Sequence, residues 1–284
     1  MKRILGYYFA ELGAGTDVGS VREQNEDAYH TLLGTGSPGE LFDALLIVAD
    51  GMGGHAAGEV ASEMAVTNLP KHLVESLSSD DGDKDIESVL SESVKKTNFD
   101  IFEKSKEEDT KGMGTTLTAG MLVEGRFFYA HVGDSRGYIF RGKSIEQFTK
   151  DHSWVAEQVA LGILTEEQAE NHPRRNIITR AMGLDSDVEV DSGVIDLELE
   201  DRILLCSDGL HGLVNAQEML NVCEEESPEN AFQQLIGMAN SRGGHDNITV
   251  IIAKILKGEN YGVGKTQVQG VKSMFGNIKS LFSD

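Results

Sequence analysis

The feature that most constrains this chain is a recurring pattern in which an apolar, strand-like run ends in an aspartate. Asp50 ends the run LLIVAD, Asp134 follows FFYAHVG, and Asp208 follows ILLCS. A fourth acid, Asp246, stands just before the apolar run NITVIIA. If these strand ends meet at one edge of a layered fold, four carboxylates gather in one cleft, where like charges repel unless a cation lies between them. The pattern therefore predicts a site for Mg²⁺ or Mn²⁺, which prefer oxygen ligands.

Each aspartate taken alone has a simpler explanation. Asp-Gly and Gly-Asp-Ser are common turn sequences, and for a single Asp-Gly pair a turn is the favoured interpretation. The repetition at several strand ends is what favours a metal site. A further adjacent acid pair, Glu26 and Asp27 in the segment NEDA, lies near the start of the chain and adds to the carboxylates available.

The order of the elements predicts an α+β fold rather than a doubly wound parallel sheet. Residues 115–148 contain four short strands joined by hairpin turns at Glu-Gly, Gly-Asp-Ser and Arg-Gly. Residues 58–77, 85–104 and about 215–241 have helical spacing of apolar residues, and Pro70 is expected to kink or restart the first helix. Strands grouped with strands favour two antiparallel β-sheets packed as a sandwich, with helices on both outer faces, an α-β-β-α arrangement.

Charge and composition exclude some classes of function. The net charge of −22 over 284 residues argues against nucleic acid, whose phosphates need a basic surface. No apolar run approaches the ~18–20 residues of a membrane span, and we expect no transmembrane segment. Cys206 and Cys223 do not make a disulfide framework, so a reducing cytoplasm is the expected location.

Seven motifs occur in an order that resembles a known family. They are TDVGSVREQNEDA, VADGMGGHAAGEVAS, GTTLTA, HVGDSRGY, the segment from DHSWVAEQ to NIITRAMG, CSDGL and HDNITV. Together they resemble the metal-dependent Ser/Thr protein phosphatases of the PP2C type (PPM family) in their bacterial form. The resemblance covers about residues 10–256, and the family fold of two antiparallel sheets flanked by helices agrees with the layered arrangement predicted above.

The resemblance implies a ligand set for two core ions. Asp50 is expected to bridge two Mn²⁺ or Mg²⁺ ions, and the carbonyl of Gly51 is expected to help hold one of them. The other direct ligands implied are Glu26, Asp208 and Asp246.

Other roles follow from the same resemblance. Asp134 is expected to hold a third ion together with Asp208, and Asp27 is expected to hold a metal-bound water through a hydrogen bond. Arg22, four residues before Glu26, matches the family's phosphate-binding arginine, whose guanidinium can contact two phosphate oxygens at once. Asn247 is expected to support the ligand residues without binding an ion itself.

The chemistry implied is direct hydrolysis of phosphoserine and phosphothreonine. Two ions about 3.5–4 Å apart lower the pKa of a bridging water, and the resulting hydroxide attacks the phosphorus in line, without a phosphoenzyme. Animal members often carry a histidine after the DG pair as a proposed general acid, whereas here that position is Met52. The sequence therefore leaves the proton donor open, and a metal-bound water is one group that can serve.

The expected partners are phosphorylated proteins, in particular a Ser/Thr kinase and its substrates, and we expect a monomer. Two rival functions stay open from sequence: a regulator that dephosphorylates an anti-sigma-factor antagonist, which would be marked by a fused sensor domain, and a pseudophosphatase that only binds. No sensor domain is evident, and a pseudophosphatase should lack a ligand or Arg22, all of which are present.

Two regions outside the acid pattern keep two interpretations each. Arg174, Arg175 and Arg180 lie in the segment that the family uses as a flap, where they either steer phosphorylated substrate or neutralise an acidic surface. We predict a phosphatase domain over residues 1–256 and a basic tail over residues 257–284, which is either amphipathic or disordered.

Overall fold

Two antiparallel β-sheets form the framework of the chain in a computed structural model, which describes residues 8–34, 41–53, 57–78 and 85–257. The first sheet contains, in spatial order, β1 (Tyr8–Asp17), β11 (Ile248–Lys257), β10 (Arg202–Cys206), β7 (Arg136–Arg141) and β8 (Ser144–Gln147). The second contains β2 (Asp27–Leu33), β3 (Ala44–Met52), β5 (Leu117–Val123), β6 (Arg126–Val132) and β9 (Asp191–Asp196), with the short β4 (Gly114–Thr115) paired to the end of β3.

Helices cover both outer faces of the two sheets. Their bounds are α1 (Ala57–Ser78), α2 (Ile86–Lys104), α3 (Trp154–Ala160), α4 (Glu166–Glu170), α5 (Asp208–His211), α6 (Ala216–Glu225) and α7 (Pro228–Ser241). A 3-10 turn spans Glu108–Thr110. Helices α1 and α2 pack on the second sheet, and α5, α6 and α7 pack on the first. The predicted α-β-β-α sandwich is therefore confirmed.

Strand β3 shows why the apolar runs are continuous. Leu45 and Ile47 face the α1 and α2 layer, whereas Leu46 and Val48 face the layer between the sheets. All four side chains are fully or almost fully buried. A strand covered on both faces needs apolar residues at every position rather than at alternate ones. The polar residue that ends such a strand is then the first one free to reach solvent or a ligand.

The predicted elements hold, with three differences. The four strands of residues 115–148 are β5 to β8, but the second pair lies in the other sheet, so the GDS segment crosses between sheets. The helical stretch near 215–241 is two helices, because Ser227 caps a new helix that begins at Pro228. Helix α1 continues through Pro70, between the fully buried Leu69 and Leu73, whose packing offsets the lost backbone hydrogen bond.

Among the described residues, the sequence patterns did not predict four strands: β1, β2, β9 and the two-residue β4. The predicted tail beyond Lys257 lies outside the described residues, so the proposed boundary between domain and tail stays a prediction. Among the helices within the described ranges, none combines the length and the apolar composition needed to cross a bilayer.

Candidate metal centre

The sheet register brings the predicted acids to one end of the sandwich. Asp27 and Asp50 are opposite each other where β2 pairs with β3. In the other sheet Cys206 pairs with Arg136, so Asp208 and Asp134, each two residues beyond that pair, are neighbours. 

Asp246 joins the same end from a third strand. It precedes β11, whose Val250 pairs with Cys206 of β10, so the chain reaches Asp246 beyond the end of β10 where Asp208 stands. Five aspartates therefore lie at one edge: the four that end or begin apolar runs, together with Asp27.

The aspartates are close enough to change each other's ionisation. Burial raises the pKa of Asp27 and of Asp134 to about 7 and that of Asp208 to about 6, and in each case a neighbouring carboxylate adds to the shift. Burial, followed by the charges of Asp27 and Asp208, holds the pKa of Asp50 well above its ordinary range. Without a positive charge among them, these groups resist ionisation.

Two buried oxygens indicate that the cluster fits cations. Oδ1 of Asp134 and Oδ1 of Asp208 are shielded from solvent and have no hydrogen-bond partner. A buried carboxylate oxygen without a donor is costly, and a divalent cation removes that cost. No three acidic, histidine or cysteine side chains of the described ranges already converge at the spacing of a metal cage. The acids thus share a cleft and supply the right donor type, without meeting at one point.

The backbone of Asp50 is fixed by two threonines of the GTTLTA segment. Its N–H donates to Oγ1 of Thr116 (3.0 Å), and its carbonyl accepts from Oγ1 of Thr115 (3.0 Å) and from the N–H of Thr116 (2.8 Å). The Thr116 hydroxyl also lies 2.8 Å from that of Ser135, next to Asp134. In the sequence, the segment is evident only as a family motif, and nothing in it indicates these roles of Thr115 and Thr116.

Gly51 has no room for a side chain. A Cβ there would lie 2.2 Å from the carbonyl oxygen of Gly58 and 2.5 Å from that of Glu26, both backbone atoms. The Gly51 N–H donates to the Glu26 carbonyl (3.0 Å). Glycine therefore lets three backbone segments meet beside Asp50, which brings Glu26 into the cleft.

Asn247 holds the loop that carries Glu26 and Arg22. Its Oδ1 accepts from the Glu26 N–H (2.7 Å), and its Nδ2 donates to the carbonyls of Val18 and Gln24 (2.9 Å each). The side chain is almost fully buried, so it satisfies these groups in place of water. Its geometry agrees with the supporting role expected from sequence.

Arg22 and Asp27 reach the cleft through different partners. The Arg22 guanidinium donates from Nη2 to Oδ2 of Asp246 (2.7 Å) and remains 49% exposed at the rim. The buried Asp27 accepts from the Ser207 hydroxyl at Oδ2 (2.7 Å). Ser207 also accepts from the Thr249 N–H (3.0 Å), which fixes its orientation. The only sequence signal for Ser207 was its place in the CSDG motif.

The flap segment gives its arginines different surroundings. Arg180 donates to Asp191 (2.6 Å) and Glu189 (3.0 Å), so its charge is matched locally. The Arg174 guanidinium stacks over the Trp154 ring, 5.1 Å from its centre. Neutralisation is therefore the interpretation that the contacts favour for Arg180. In the same segment, Thr165 forms a full capping box at the start of α4.

Comparison with known proteins decides the family. The family model described as Protein phosphatase 2C matches residues 14–248. The chain is 41% identical to the serine/threonine phosphatase stp of Listeria monocytogenes serotype 4b over 243 residues, which is 84% of this chain and 93% of that protein. The chain belongs to the protein phosphatase 2C family. The resemblance inferred from the seven motifs is confirmed.

Solved structures of this family have the same fold. The Streptococcus agalactiae serine/threonine phosphatase superposes with a TM-score of 0.78 at 38% identity, covering 87% of this chain and 99% of that one. The catalytic domain of the serine threonine protein phosphatase PstP, solved in complex with 2 manganese ions, gives a TM-score of 0.75 at 35% identity, covering 88% and 100%. The acid cleft described above is therefore set in a protein phosphatase 2C fold.

Proposed function

We propose that this chain is a metal-dependent protein phosphatase that hydrolyses phosphoserine and phosphothreonine esters of proteins. The observation that carries the proposal is the gathering of five aspartates, with two buried oxygens lacking partners, beside a half-exposed arginine. A cluster of oxygen donors suits hard divalent ions, and an arginine beside them suits a phosphoryl group. The family relatives named as serine/threonine phosphatases support the same activity.

The proposed ions are Mn²⁺ or Mg²⁺, two at the core and a third nearby. Asp50 would hold both core ions, and the neighbouring donors would be the carboxylates of Glu26, Asp208 and Asp246 with the Gly51 carbonyl. The third would lie between Asp134 and Asp208. When bound, such ions supply a water nucleophile with a pKa near neutrality and hold phosphoryl oxygens. The manganese complex of a structural relative supports the choice of metal.

The chain's own residues position substrate and water. Arg22 uses one N–H on Asp246, and a guanidinium has five, so it can also bind phosphoryl oxygens at the rim. Asp27, oriented by Ser207, would accept a hydrogen from water in the cleft. Met52 has no proton to give, so a water of the site would protonate the leaving serine or threonine oxygen.

The phosphorylated proteins would be a Ser/Thr kinase and its targets, so that the reaction reverses kinase signalling. We propose a monomer in the cytoplasm; both cysteines are free and buried, which is compatible with a reducing compartment.

The test is turnover of p-nitrophenyl phosphate and a phosphothreonine peptide with Mn²⁺ and with EDTA. Asp50→Asn and Asp246→Asn should each remove nearly all turnover in Mn²⁺ while leaving the protein folded, because each removes a negative charge that would balance the positive charge of the bound ions.

The matched control is Asp201→Asn. Asp201 is more buried than Asp50 and Asp246 and pairs with Arg141 (2.7 Å), so its loss should lower stability and spare turnover per folded molecule. Full turnover of the wild-type protein in EDTA, or of the Asp50 variant in Mn²⁺, would contradict the proposed function.

A further inference from the structure

Two histidines hold the dipeptide Gly133–Asp134. The Gly133 N–H donates to the ring Nδ1 of His152 (3.0 Å), and the Gly133 carbonyl accepts from the backbone N–H of His152 (2.7 Å). The ring Nε2 of His211 lies 3.0 Å from the Asp134 carbonyl oxygen. A carbonyl oxygen only accepts, so Nε2 of His211 carries the hydrogen and donates it.

The Asp134 carboxylate depends on this backbone support. Its Oδ1 is buried and has no hydrogen-bond partner that could orient it. Gly133 has a φ of +115°, a region in which other residues are strained, so the chain makes a sharp turn just before the acid. The point from which the carboxylate extends is therefore set by the main chain, and the main chain is held by His152 and His211.

His211 also links Asp134 to Asp208. Both Asp208 and His211 lie in the single turn of α5, three residues apart and therefore on one side of the helix. The turn is closed by the Gly212 N–H, which donates to the Asp208 carbonyl (2.8 Å). The imidazole thus ties the main chain of one acid to the helical turn that carries the other.

We propose that His211 is a positioning residue that holds the Asp134 carboxylate at a fixed separation from Asp208 through its hydrogen bond to the Asp134 carbonyl. It would thereby set the affinity of the divalent ion shared by these two acids, without touching the ion. The inference rests on the proposed function, in which Asp134 and Asp208 hold the third ion. Hydrogen-bonding partners outside the ligand shell commonly change metal affinity about 10–100-fold.

The test is a Mn²⁺ titration by calorimetry, with free Mn²⁺ counted by electron paramagnetic resonance, on the full chain. His211→Leu removes the donor, and we expect the weakest of three sites to lose affinity on the order of tenfold while the two tighter sites do not change. His211→Gln keeps an N–H near the position of Nε2 and should retain the weak site, whereas the shorter His211→Asn should lose it as leucine does. The control, His72→Leu, removes a histidine bond to Asp100 (2.8 Å) between α1 and α2 and should leave all three sites unchanged.

The outcomes separate this inference from the proposed function. The inference is overturned if the glutamine, asparagine and leucine variants weaken Mn²⁺ binding at the weakest site equally. It is also overturned if a variant weakens all three sites and lowers the melting temperature in EDTA. Either result would assign His211 a purely structural role. Wild-type protein that binds only two Mn²⁺ and still hydrolyses phosphate would overturn it while the proposed function stands. Three bound ions without turnover would remove the proposed function, and the same titration would still decide the role of His211.

Discussion

Replacing Asp134 by asparagine should stabilise the metal-free protein at alkaline pH. The side chain is 7% exposed, and burial, followed by the charge of Asp208, raises the pKa of Asp134 from 3.8 to about 7. Between pH 3.8 and about pH 7, the folded protein keeps a proton on Asp134 that the unfolded chain has released. The stability contributed by Asp134 is therefore greatest at low pH and is lost as the pH rises through 7.

The pKa difference sets the size of the effect. Raising the pKa of one carboxyl from 3.8 to about 7 corresponds to about 4 kcal/mol at alkaline pH, at about 1.4 kcal/mol for each tenfold change. The amide of asparagine also loses water on burial, so part of this gain is offset. We expect Asp134→Asn to raise the free energy of unfolding by about 1–3 kcal/mol at pH 8 in EDTA, and by much less at pH 5.

Urea unfolding in EDTA at the two pH values measures this effect, with Asp201→Asn as the control of opposite sign. Asp201 is 1% exposed and accepts two hydrogen bonds from Arg141, so the same substitution there should destabilise the protein at both pH values. If Asp134 instead served as an ordinary turn residue capping backbone amides, its loss would cost about 1 kcal/mol at pH 8. An Asp134→Asn protein less stable than wild type at pH 8 would therefore refute the reasoning.

Three further predictions each concern one residue: Arg22, Gly51 and His131. Arg22→Ala should raise KM for phosphopeptides more than it lowers kcat, because the role proposed for the arginine is to bind phosphate in the ground state; unchanged KM with a large loss of kcat would assign it to the transition state instead. Gly51→Ala should destabilise the fold by roughly 1–3 kcal/mol in thermal unfolding, because its Cβ would lie 2.2 Å from the Gly58 carbonyl oxygen, and an unchanged melting temperature would argue against that backbone contact. Burial lowers the pKa of His131 from 6.5 to about 4, so its contribution to stability is complete above pH 6.5 and is lost as the pH falls towards 4. His131→Gln should therefore flatten the acid side of the curve of melting temperature against pH. An equally steep curve for the variant would contradict this prediction.

The positions of the acids were predictable because strand ends are a local property. An apolar run long enough for a two-sided buried strand, with a carboxylate within two residues of the end of that strand, places the carboxylate at the edge of a sheet whatever the rest of the chain does. Asp50, Asp134 and Asp208 follow this rule, and Asp246 follows it at the start of β11. The layered fold followed from the same runs, because β3 and β10 are buried on both faces.

Strand β1 shows what the local pattern could not provide. Its segment AELGAGTD contains two glycines, which as a sequence indicate turns. In the structure a Cβ on Gly13 would lie 2.0 Å from the Pro228 carbonyl oxygen, and one on Gly15 would lie 2.5 Å from the Phe232 ring. The glycines are there because helix α7 packs directly onto the strand backbone. That reason lies more than 200 residues away in the chain, and no local rule contains it.

The residues that orient the acids were unpredictable for the same reason. The Ser207 hydroxyl that binds Asp27 is 180 residues away in sequence, the Thr116 hydroxyl that accepts from the Asp50 N–H is 66 away, and the His211 ring that contacts Asp134 is 77 away. A serine, a threonine or a histidine has so many ordinary uses that its identity alone indicates no role. The acids fix which ions can bind, because charge and donor type belong to the residue itself. In the proposed site, how tightly each ion binds would depend on these distant hydrogen bonds, so substitutions far from the proposed ligands in sequence should change metal affinity without changing the ligand set.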